Sequence, residues 1–288
     1  MSIAILVDSS CGISREEAKK LGYEMIALPF LLDDVEYDED KLTKEEFYDK
    51  LKDAKDIHTS SATVENVTKT VDRLLETNDK VLYFPITSGL SSSYDTGVSI
   101  SEREKYKDKL IVVDHRTISV VERAMLCDVT RLIKKGYDAL EIKKLIEANS
   151  KNNRVYIAVD TLEYLKKGGR ISSLSATLGS ILNVKPVLFS NGGKFEVVRK
   201  ARGFKAAEDE LVNLVRNDLK DYFKDEDVNN YRFGIAYTKC IDEALNFKNR
   251  MKEEFNTEFV VDELSTVIGC HIGTGAIATA IYKVLNEC

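Results

Sequence analysis

Apolar runs that end in hydroxyl-rich loops recur through the first half of the chain, and they constrain its fold more than any other feature. Residues 3–7, 81–86 and 110–113 are apolar runs of the kind that form buried parallel strands, and residues 24–32 predict another strand. Apolar residues at helical spacing, as over 64–75, separate these runs. Strands that alternate with helices predict a parallel sheet with polar loops at the carboxyl ends of its strands.

Three of these loops gather hydroxyl groups, and a fourth segment near the end of the chain gathers glycines. The three loops are residues 8–10, 58–63 and 87–93, and the fourth segment, 269–275, holds His271 in a glycine frame. Hydroxyls and backbone N–H groups at strand-to-helix junctions form sites for small anions. The sequence therefore predicts an anion site at this edge of the sheet.

The pattern changes near residue 150, where a polar break precedes a strand over 155–159. Residues 186–200 predict a hairpin that turns at Asn191-Gly192-Gly193. The helices and strands that follow are separated in sequence and are predicted over 205–222, 233–237, 241–254 and 258–262. We therefore expect two domains. Residues 1–150 would form a three-layer α/β domain on a parallel sheet, and residues 151–288 an α+β domain with a largely antiparallel sheet.

The composition excludes several classes of partner. A net charge of −6 and a pI near 5.4 argue against nucleic acid or an anionic membrane. No window of about 18 apolar residues predicts a membrane span, and the start of the chain is typical of a strand rather than a signal peptide, so we expect a cytoplasmic protein. The cysteines contain no C-x-x-C pair, which favours reduced thiols and excludes a zinc finger: Cys11, Cys127, Cys240, Cys270 and Cys288. We expect no metal and no cofactor.

Ser91 lies in a partial match to the nucleophile elbow of serine hydrolases. Gly89 and Ser91 fit the G-x-S-x-G pattern, but Ser93 stands where the second glycine lets strand and helix approach closely. The hydroxyls of this loop can also cap the helix that is predicted to begin at Tyr94. The loop contains more hydroxyls than one helix start can use, which leaves Ser91 a role in binding a ligand.

The glycine segment near the end of the chain matches the dinucleotide pattern G-x-G-x-x-A over residues 273–278. That fingerprint opens a βαβ unit with an acidic residue about 20 positions later, and only ten residues follow Ala278. We interpret the segment instead as the glycine-framed start of a last helix, whose N–H groups favour a carboxylate or phosphate. His271, directly before it, is then a candidate ligand-binding residue.

Two arginines stand in basic clusters of an otherwise acidic chain. Arg170 follows Lys166-Lys167-Gly168-Gly169, and Arg202 lies in residues 201–205. They form either solvated loops or a docking surface for a phosphate-handling partner.

The other histidines and two aspartates are weaker candidates. His58 and His115 lack the spacing of a metal site, so we interpret both as structural. Asp8 and Asp114 end parallel-type strands, but a magnesium site would normally need more oxygen ligands.

Six short motifs occur in the order and spacing of the DegV family, and the resemblance covers essentially the whole chain. They are Asp8-Ser9-Ser10-Cys11, Thr59-Ser60, Ser88-Gly89-Leu90-Ser91, Lys167-Gly168-Gly169-Arg170-Ile171-Ser172, Asn183-Val184-Lys185-Pro186 and His271-Ile272-Gly273-Thr274-Gly275. The resemblance implies a protein that binds a long-chain fatty acid between two α/β domains. It also implies that the protein presents the carboxylate to a separate ATP-binding subunit of bacterial fatty acid kinase, for phospholipid synthesis, with no catalysis of its own.

The resemblance further implies roles for individual residues. The residues that bind the carboxylate would be Thr59, Ser60, Ser91 and His271. The residues around the head-group opening would be Arg170, Gly273 and Thr274, and the kinase-facing surface would include Arg202. The chain departs from the family at Ser61-Ala62, where Gln-Pro is usual, and at Ser92, where glycine is usual.

Two other hypotheses stay open at this point. The chain could be a serine hydrolase that acts on a lipid ester through Ser91 and His271. It could also be a lipid sensor whose protein partner is not a kinase.

Overall fold

The computed structural model describes residues 2–176 and 184–285, so Asn183 and Cys288 lie outside the described residues. The strands and helices up to residue 149 are β1 (Ile3–Asp8), α1 (Arg15–Leu21), β2 (Tyr23–Ile26), β3 (Phe30–Leu32), β4 (Val35–Tyr37), α2 (Lys44–Asp53), β5 (Ile57–Thr59), α3 (Val64–Leu75), β6 (Lys80–Phe84), α4 (Ser93–Ser101), β7 (Leu110–Val112), α5 (Val120–Lys134) and α6 (Ala139–Asn149). The later elements are β8 (Asn153–Ala158), α7 (Glu163–Lys167), α8 (Ser173–Ala176), β9 (Val184–Ser190), β10 (Glu196–Arg202), α9 (Phe204–Asn217), β11 (Tyr231–Tyr237), α10 (Ile241–Phe255), β12 (Phe259–Glu263), α11 (Thr266–Ile272) and β13 (Ile277–Lys283).

The apolar runs of the first half form a four-stranded parallel sheet in the order β2–β1–β6–β7. Val7 pairs with Phe84 in the two central strands, and residues 4–8 and 81–84 are buried without alternation. Continuous burial means that helices cover both faces of the sheet. This confirms the parallel-sheet, three-layer architecture that the sequence predicts for the first half.

The second half is built on a six-stranded sheet in the order β10–β9–β8–β13–β11–β12, antiparallel except between β11 and β12. Its β9–β10 hairpin turns at residues 191–193, as predicted. One face packs on α9 and α10, while Ala278 and Ala280 of β13 join the apolar core of the parallel-sheet half. The predicted, largely antiparallel sheet is confirmed, whereas a domain boundary at residue 150 stays a prediction.

Residues 24–32 were predicted to form one strand, and the structure divides them between β2 and β3. Pro29 lies in the break, and proline has no N–H to donate to a ladder of hydrogen bonds. Beyond the break, β3 pairs antiparallel with β4 and β5 in a small sheet that the sequence did not predict. The small sheet matters for the site because β5 ends at Thr59.

The prediction of a helix after Gly273-Thr274-Gly275 is wrong. A helix, α11, ends before Gly273, and residues 277–283 form β13, paired with both β8 and β11. Gly273 and Gly275 have φ values of 77° and 74°, so they end the helix and turn the chain into the strand. Because β13 pairs with a neighbour along both of its edges, this segment forms a strand, and tertiary context overrides the short local pattern. His271 therefore lies in the last turn of a helix, and the glycines offer no helix start to an anion.

The other two predicted helices of the second half are present with shifted ends. The helix predicted over 205–222 is α9 followed by a π-helix over Asp218–Tyr222. Of the helices in the described part of the chain, none combines the length and the apolar character needed to cross a membrane.

The loop before α4 and the β9–β10 hairpin meet backbone to backbone. The Thr87 hydroxyl donates to the Gly192 carbonyl at 2.6 Å. A Cβ atom on Gly89 would lie 2.3 Å from the same oxygen. A side chain at Gly89 therefore cannot be accommodated without a shift of one backbone against the other.

We predict that Gly89→Ala lowers the free energy of unfolding by about 1–3 kcal/mol, because the added methyl group overlaps backbone atoms. Chemical denaturation of both proteins measures the difference. Gly193→Ala is the matched control, since the atoms nearest to its Cβ would lie 3.8 and 3.9 Å away. The control should change the unfolding free energy by less than about 0.5 kcal/mol. Equal losses in the two variants would contradict this account of the junction.

Candidate functional site

A cavity that is partly open to solvent lies between the small β3–β5 sheet, the loop before α4, and α11. Hydroxyl groups, one arginine and one histidine line part of it, and apolar side chains line the rest. Its polar wall consists of Thr59, Ser60, Ser61, Ser91, Ser92, Arg170 and His271. Its apolar wall consists of Leu28, Ile86, Leu90, Ile118, Leu165, Phe195, Val267, Ile268 and Ile272.

Thr59 and His271, 212 positions apart in the sequence, form a hydrogen bond across this cavity. Thr59 Oγ1 lies 2.8 Å from His271 Nε2. The pairing of β5 with β3 places Thr59 opposite Phe30, and α11 packs against β5 and α2. Two distant parts of the chain thus bring these side chains together.

Burial keeps the His271 ring neutral. The pKa of His271 is lowered from 6.5 to about 4, mainly by burial and also by the positive charge of Arg170. Its Nδ1 atom has no hydrogen-bond partner among the described residues. A Cβ on Gly168 would lie 1.9 Å from Nδ1, so a glycine at that position leaves room for the ring. At neutral pH the ring is an uncharged hydrogen-bonding group.

Arg170 is the one charged side chain among the described residues that line the cavity. Its Nε donates to the Leu90 carbonyl at 3.1 Å, and its Nη1 donates to the Gly168 carbonyl. Partial burial lowers the pKa of this guanidinium. No carboxylate in residues 2–176 or 184–285 forms an ion pair with it. The mouth of the cavity therefore carries a positive charge with no internal counter-ion.

The Ser91 hydroxyl faces the cavity from the loop before α4. Its Oγ lies 3.1 Å from Ser93 Oγ and accepts a hydrogen bond from the Ser93 N–H at 3.2 Å. His271 bonds Thr59 instead of Ser91, and no described acidic group orients its Nδ1 atom. A nucleophile needs a base within hydrogen-bond reach and a group that orients that base. The serine hydrolase hypothesis is therefore not supported.

A second, apolar cavity lies directly behind the first. The two share the wall residues Ile118, Phe195, Ile268 and Ile272. The inner wall is completed by residues of α5 and of the six-stranded sheet, among them Ala278 and Ala280. A polar mouth with an apolar interior behind it suits an amphipathic ligand.

The structure separates the predicted site residues into two groups. Thr59, Ser60, Ser91, Arg170 and His271 all line the outer cavity, the last two from the second half of the chain. Gly273, Thr274 and Arg202 do not belong to its described lining. Gly273 packs against the Tyr164 ring, where a Cβ would lie 2.5 Å from Cε2, and Arg202 is exposed at the end of β10.

The remaining candidates lie outside the cavity. Asp8 and Ser10 are wholly buried at the end of β1, so the prediction that their loop faces the anion is wrong. Asp114 accepts a hydrogen bond from Ser88 at 2.8 Å. His115 is buried and donates to the Pro85 carbonyl at 2.7 Å.

Sequence reasoning missed the apolar walls. Leu28, Phe195 and Ile268 line the cavity, but in the sequence they are indistinguishable from other core residues. Only their meeting around an open volume distinguishes them, and that depends on tertiary packing.

Comparison with known proteins identifies this architecture. The DegV family model, whose description is "Uncharacterised protein, DegV family", matches residues 2–284. The chain belongs to the DegV family. A DegV domain-containing protein of Clostridium acetobutylicum is 29% identical to it over 291 residues, which cover 99% of this chain and 99% of that protein.

Solved structures share the fold over almost the whole chain. A fatty acid binding DegV family protein from Streptococcus agalactiae has a TM-score of 0.85 at 25% identity, covering 98% of this chain and 99% of that one. A stearic acid-binding protein from Eubacterium ventriosum has a TM-score of 0.89 at 21% identity, covering 99% and 100%. These matches confirm the family and the architecture that the sequence motifs predict.

In this DegV chain, the neutral His271 predicts an acid-sensitive contribution to stability. The unfolded ring gains a proton as the pH falls below about 6.5, whereas the buried ring stays neutral until about 4. The free energy of unfolding should therefore fall over that window, and His271→Gln should remove up to about 3 kcal/mol of the fall.

Urea denaturation at pH 7 and pH 4.5 measures this effect in both proteins. Other buried groups with shifted pKa values, such as His115, Asp8 and Glu122, are present in both proteins, so they cancel in the comparison. If the free energy of unfolding changes equally with pH in wild type and His271→Gln, the His271 ring is not held neutral.

Proposed function

We propose that this protein binds a long-chain fatty acid, with the carboxylate at the polar mouth and the tail in the apolar interior. The main support for this proposal is the position of Arg170. Its guanidinium lines the cavity and has no carboxylate partner among the described residues. A buried charge is costly unless a counter-charge or hydrogen bonds compensate it. An anionic head group supplies both.

The hydroxyls and the histidine complete the proposed head-group site. With the proton of the neutral His271 on Nε2, the ring donates to Thr59 Oγ1, which leaves the Thr59 hydrogen free to donate to the ligand. Ser91 lines the same cavity from the loop before α4 and would be the second hydroxyl donor. A carboxylate that accepts from two hydroxyls and one arginine is not left desolvated and unpaired.

The tail supplies most of the proposed affinity. At about 0.8 kcal/mol per buried CH₂, a chain of about 16 carbons contributes roughly 12 kcal/mol before the costs of association. The inner cavity exposes an apolar wall that includes Val155, Ile157 and Ala280. The related proteins from Streptococcus agalactiae and Eubacterium ventriosum bind a fatty acid and stearic acid, respectively, which supports the same ligand class here.

We further propose that the protein presents this carboxylate to a separate ATP-binding kinase subunit. Ser60 and Ser92 are exposed at the mouth of the cavity, so a partner protein can reach a head group bound there. Phosphoryl transfer requires ATP and Mg²⁺, which that subunit would bring. In this role the chain positions the acyl group, and the partner catalyses acyl-phosphate formation.

Denaturing extraction of the purified protein should release a long-chain fatty acid in a ratio near one per chain, as measured by mass spectrometry. Ser91→Ala and His271→Ala should each lower the retained fraction several-fold, because each loses a head-group contact worth about 1–2 kcal/mol.

The control for His271→Ala is His58→Ala, which removes an exposed histidine one residue from Thr59. Ser101→Ala, on α4 and outside the described cavity lining, is the control for Ser91→Ala. Both controls should retain the ligand as the wild type does. An unrelated ligand at stoichiometric amount, or normal retention in both site variants, would refute the assignment.

Arg202 provides a test of the kinase-facing surface. Arg202→Glu should slow acyl-phosphate formation by an ATP-dependent fatty acid kinase subunit at least several-fold, because charge reversal at an interface mainly slows association. Its fatty-acid affinity should not change, since Arg202 is exposed on β10 outside the described cavity lining. A radiometric assay with labelled ATP and a palmitate-loaded protein measures the rate. Lys220→Glu, a charge reversal on the π-helix, is the control. An unaffected rate would remove Arg202 from the docking surface.

A further inference from the structure

The Asp8-Ser9-Ser10 turn lies outside the described cavity lining, yet it holds three segments of the cavity wall. Asp8 is fully buried, and its Oδ2 accepts a hydrogen bond from the Ile86 N–H at 2.6 Å. Its Oδ1 accepts from the N–H and the hydroxyl of Ser10, at 2.9 and 2.6 Å. One carboxylate thus fixes its own turn with one oxygen and the end of the neighbouring strand with the other.

The next two residues of the turn bind two other wall segments. Ser9 Oγ accepts from the Leu28 N–H at 3.1 Å, and the Ser10 carbonyl accepts from the Ser119 N–H at 2.8 Å. Leu28 lines the outer cavity, as Ile86 does, and Ser119 lines the inner one. Three consecutive residues therefore connect wall segments that are far apart in the sequence.

These contacts set the positions of the two hydroxyls at the mouth of the cavity. Ile86 begins the loop that carries Ser91. Leu28 precedes β3, whose Phe30 pairs with Thr59. A loss of the contact at Ile86 would leave the Ser91 loop free to shift relative to Thr59.

We propose that the Asp8-Ser9-Ser10 turn is the positioning centre of the fatty-acid cavity, with the Asp8 carboxylate as the residue that places Ser91 relative to Thr59. This inference rests on the proposed function of the cavity. Asp8 lies outside the lining of both described cavities, so it is a positioning residue.

The surroundings of Asp8 give the proposal a pH signature. Burial raises the pKa of Asp8 from 3.8 to about 6, although its hydrogen bonds to Ser10 and Ile86 lower it. The titratable groups that interact electrostatically with Asp8 are Cys11, Glu39, Tyr83 and Glu122. His115 Nε2 lies 3.8 Å from Glu122 Oε1. Burial also raises the pKa of Glu122 well above its usual value, so that group needs its own control.

Protonation of Asp8 should raise the free energy of unfolding but weaken the hydrogen bonds that position the Ser91 loop. Because the folded pKa exceeds the unfolded one, the contribution of Asp8 to the free energy of unfolding decreases as the pH rises from about 4 to about 6. Protonation therefore favours the fold, but it places a hydrogen on a carboxyl group that now accepts from three donors. If Asp8 only stabilised the fold, its protonation would change the palmitate affinity and the free energy of unfolding in the same direction.

The test compares wild type with Asp8→Asn by equilibrium dialysis of radiolabelled palmitate at pH 7.5 and pH 5. Asparagine has one acceptor oxygen, so it cannot satisfy both Ser10 and Ile86. The variant should bind roughly tenfold more weakly than wild type at pH 7.5, as expected for one lost buried hydrogen bond, and nearly equally at pH 5. The comparison at each pH cancels the titration of palmitate itself.

Two variants serve as controls. Asp128→Asn changes a wholly buried carboxylate that accepts from Arg131, Arg232, Tyr282 and the Leu285 N–H, none of which lines a described cavity. Its affinity relative to wild type should not depend on pH. Glu122→Gln should keep the wild-type pH profile. Equal binding by Asp8→Asn and wild type at pH 7.5, or an unchanged ratio at pH 5, overturns the proposal.

Amide hydrogen exchange of the unliganded proteins separates this inference from the proposed function. In Asp8→Asn, exchange should accelerate at Ile86 and through residues 87–91 and stay unchanged in β11 and β13. If wild type fails to bind palmitate, the proposed function is wrong, while unchanged protection at Ile86 would overturn the positioning role independently. If Asp8→Asn does not fold, Ser9→Ala provides the test. This variant should bind palmitate more weakly and exchange faster at the Leu28 amide. Wild-type values in both measurements overturn the proposal.

Discussion

The alternation of large and small side chains along β13 is the packing constraint on which the cavity depends. Ile277 and Ile281 point into the core beneath α9 and α10, whereas Ala278 and Ala280 point towards the parallel-sheet half. Layers of structure pack about 10 Å apart when ordinary side chains fill the space between them. Two alanines on a central strand leave part of that space empty, and the empty part is the apolar inner cavity.

The polar mouth has an electrostatic logic of its own. Arg170 cannot give up its proton, so its charge must be met by the Leu90 and Gly168 carbonyls and by whatever anion binds. A protonated His271 would add a second positive charge, and burial next to Arg170 keeps the ring neutral. The single positive charge at the mouth therefore balances the single negative charge of a carboxylate.

The sequence predicts the parts of this protein that depend on local pattern. Continuous apolar runs indicated the parallel sheet, and Asn191-Gly192-Gly193 indicated the β9–β10 turn. The strand over residues 277–283 was taken for a helix, because a short apolar run after glycines fits both structures until its two neighbours are known. The approach of Thr59 to His271 depends on the small β3–β5 sheet, which local patterns did not reveal, so only the family resemblance predicted it.

The hydroxyl-rich loops at the carboxyl ends of the strands have two different tasks. Residues 87–93 present Ser91 to the cavity, whereas Asp8-Ser9-Ser10 faces inward and bonds backbone N–H groups. A buried carboxylate suits the second task because both of its oxygens accept hydrogen bonds, and here they face three donors. Asparagine would turn an N–H towards one of those donors. The burial that raises the pKa of Asp8 means that its negative charge lowers the stability of the fold. The hydrogen bonds that this carboxylate accepts hold the cavity walls in position.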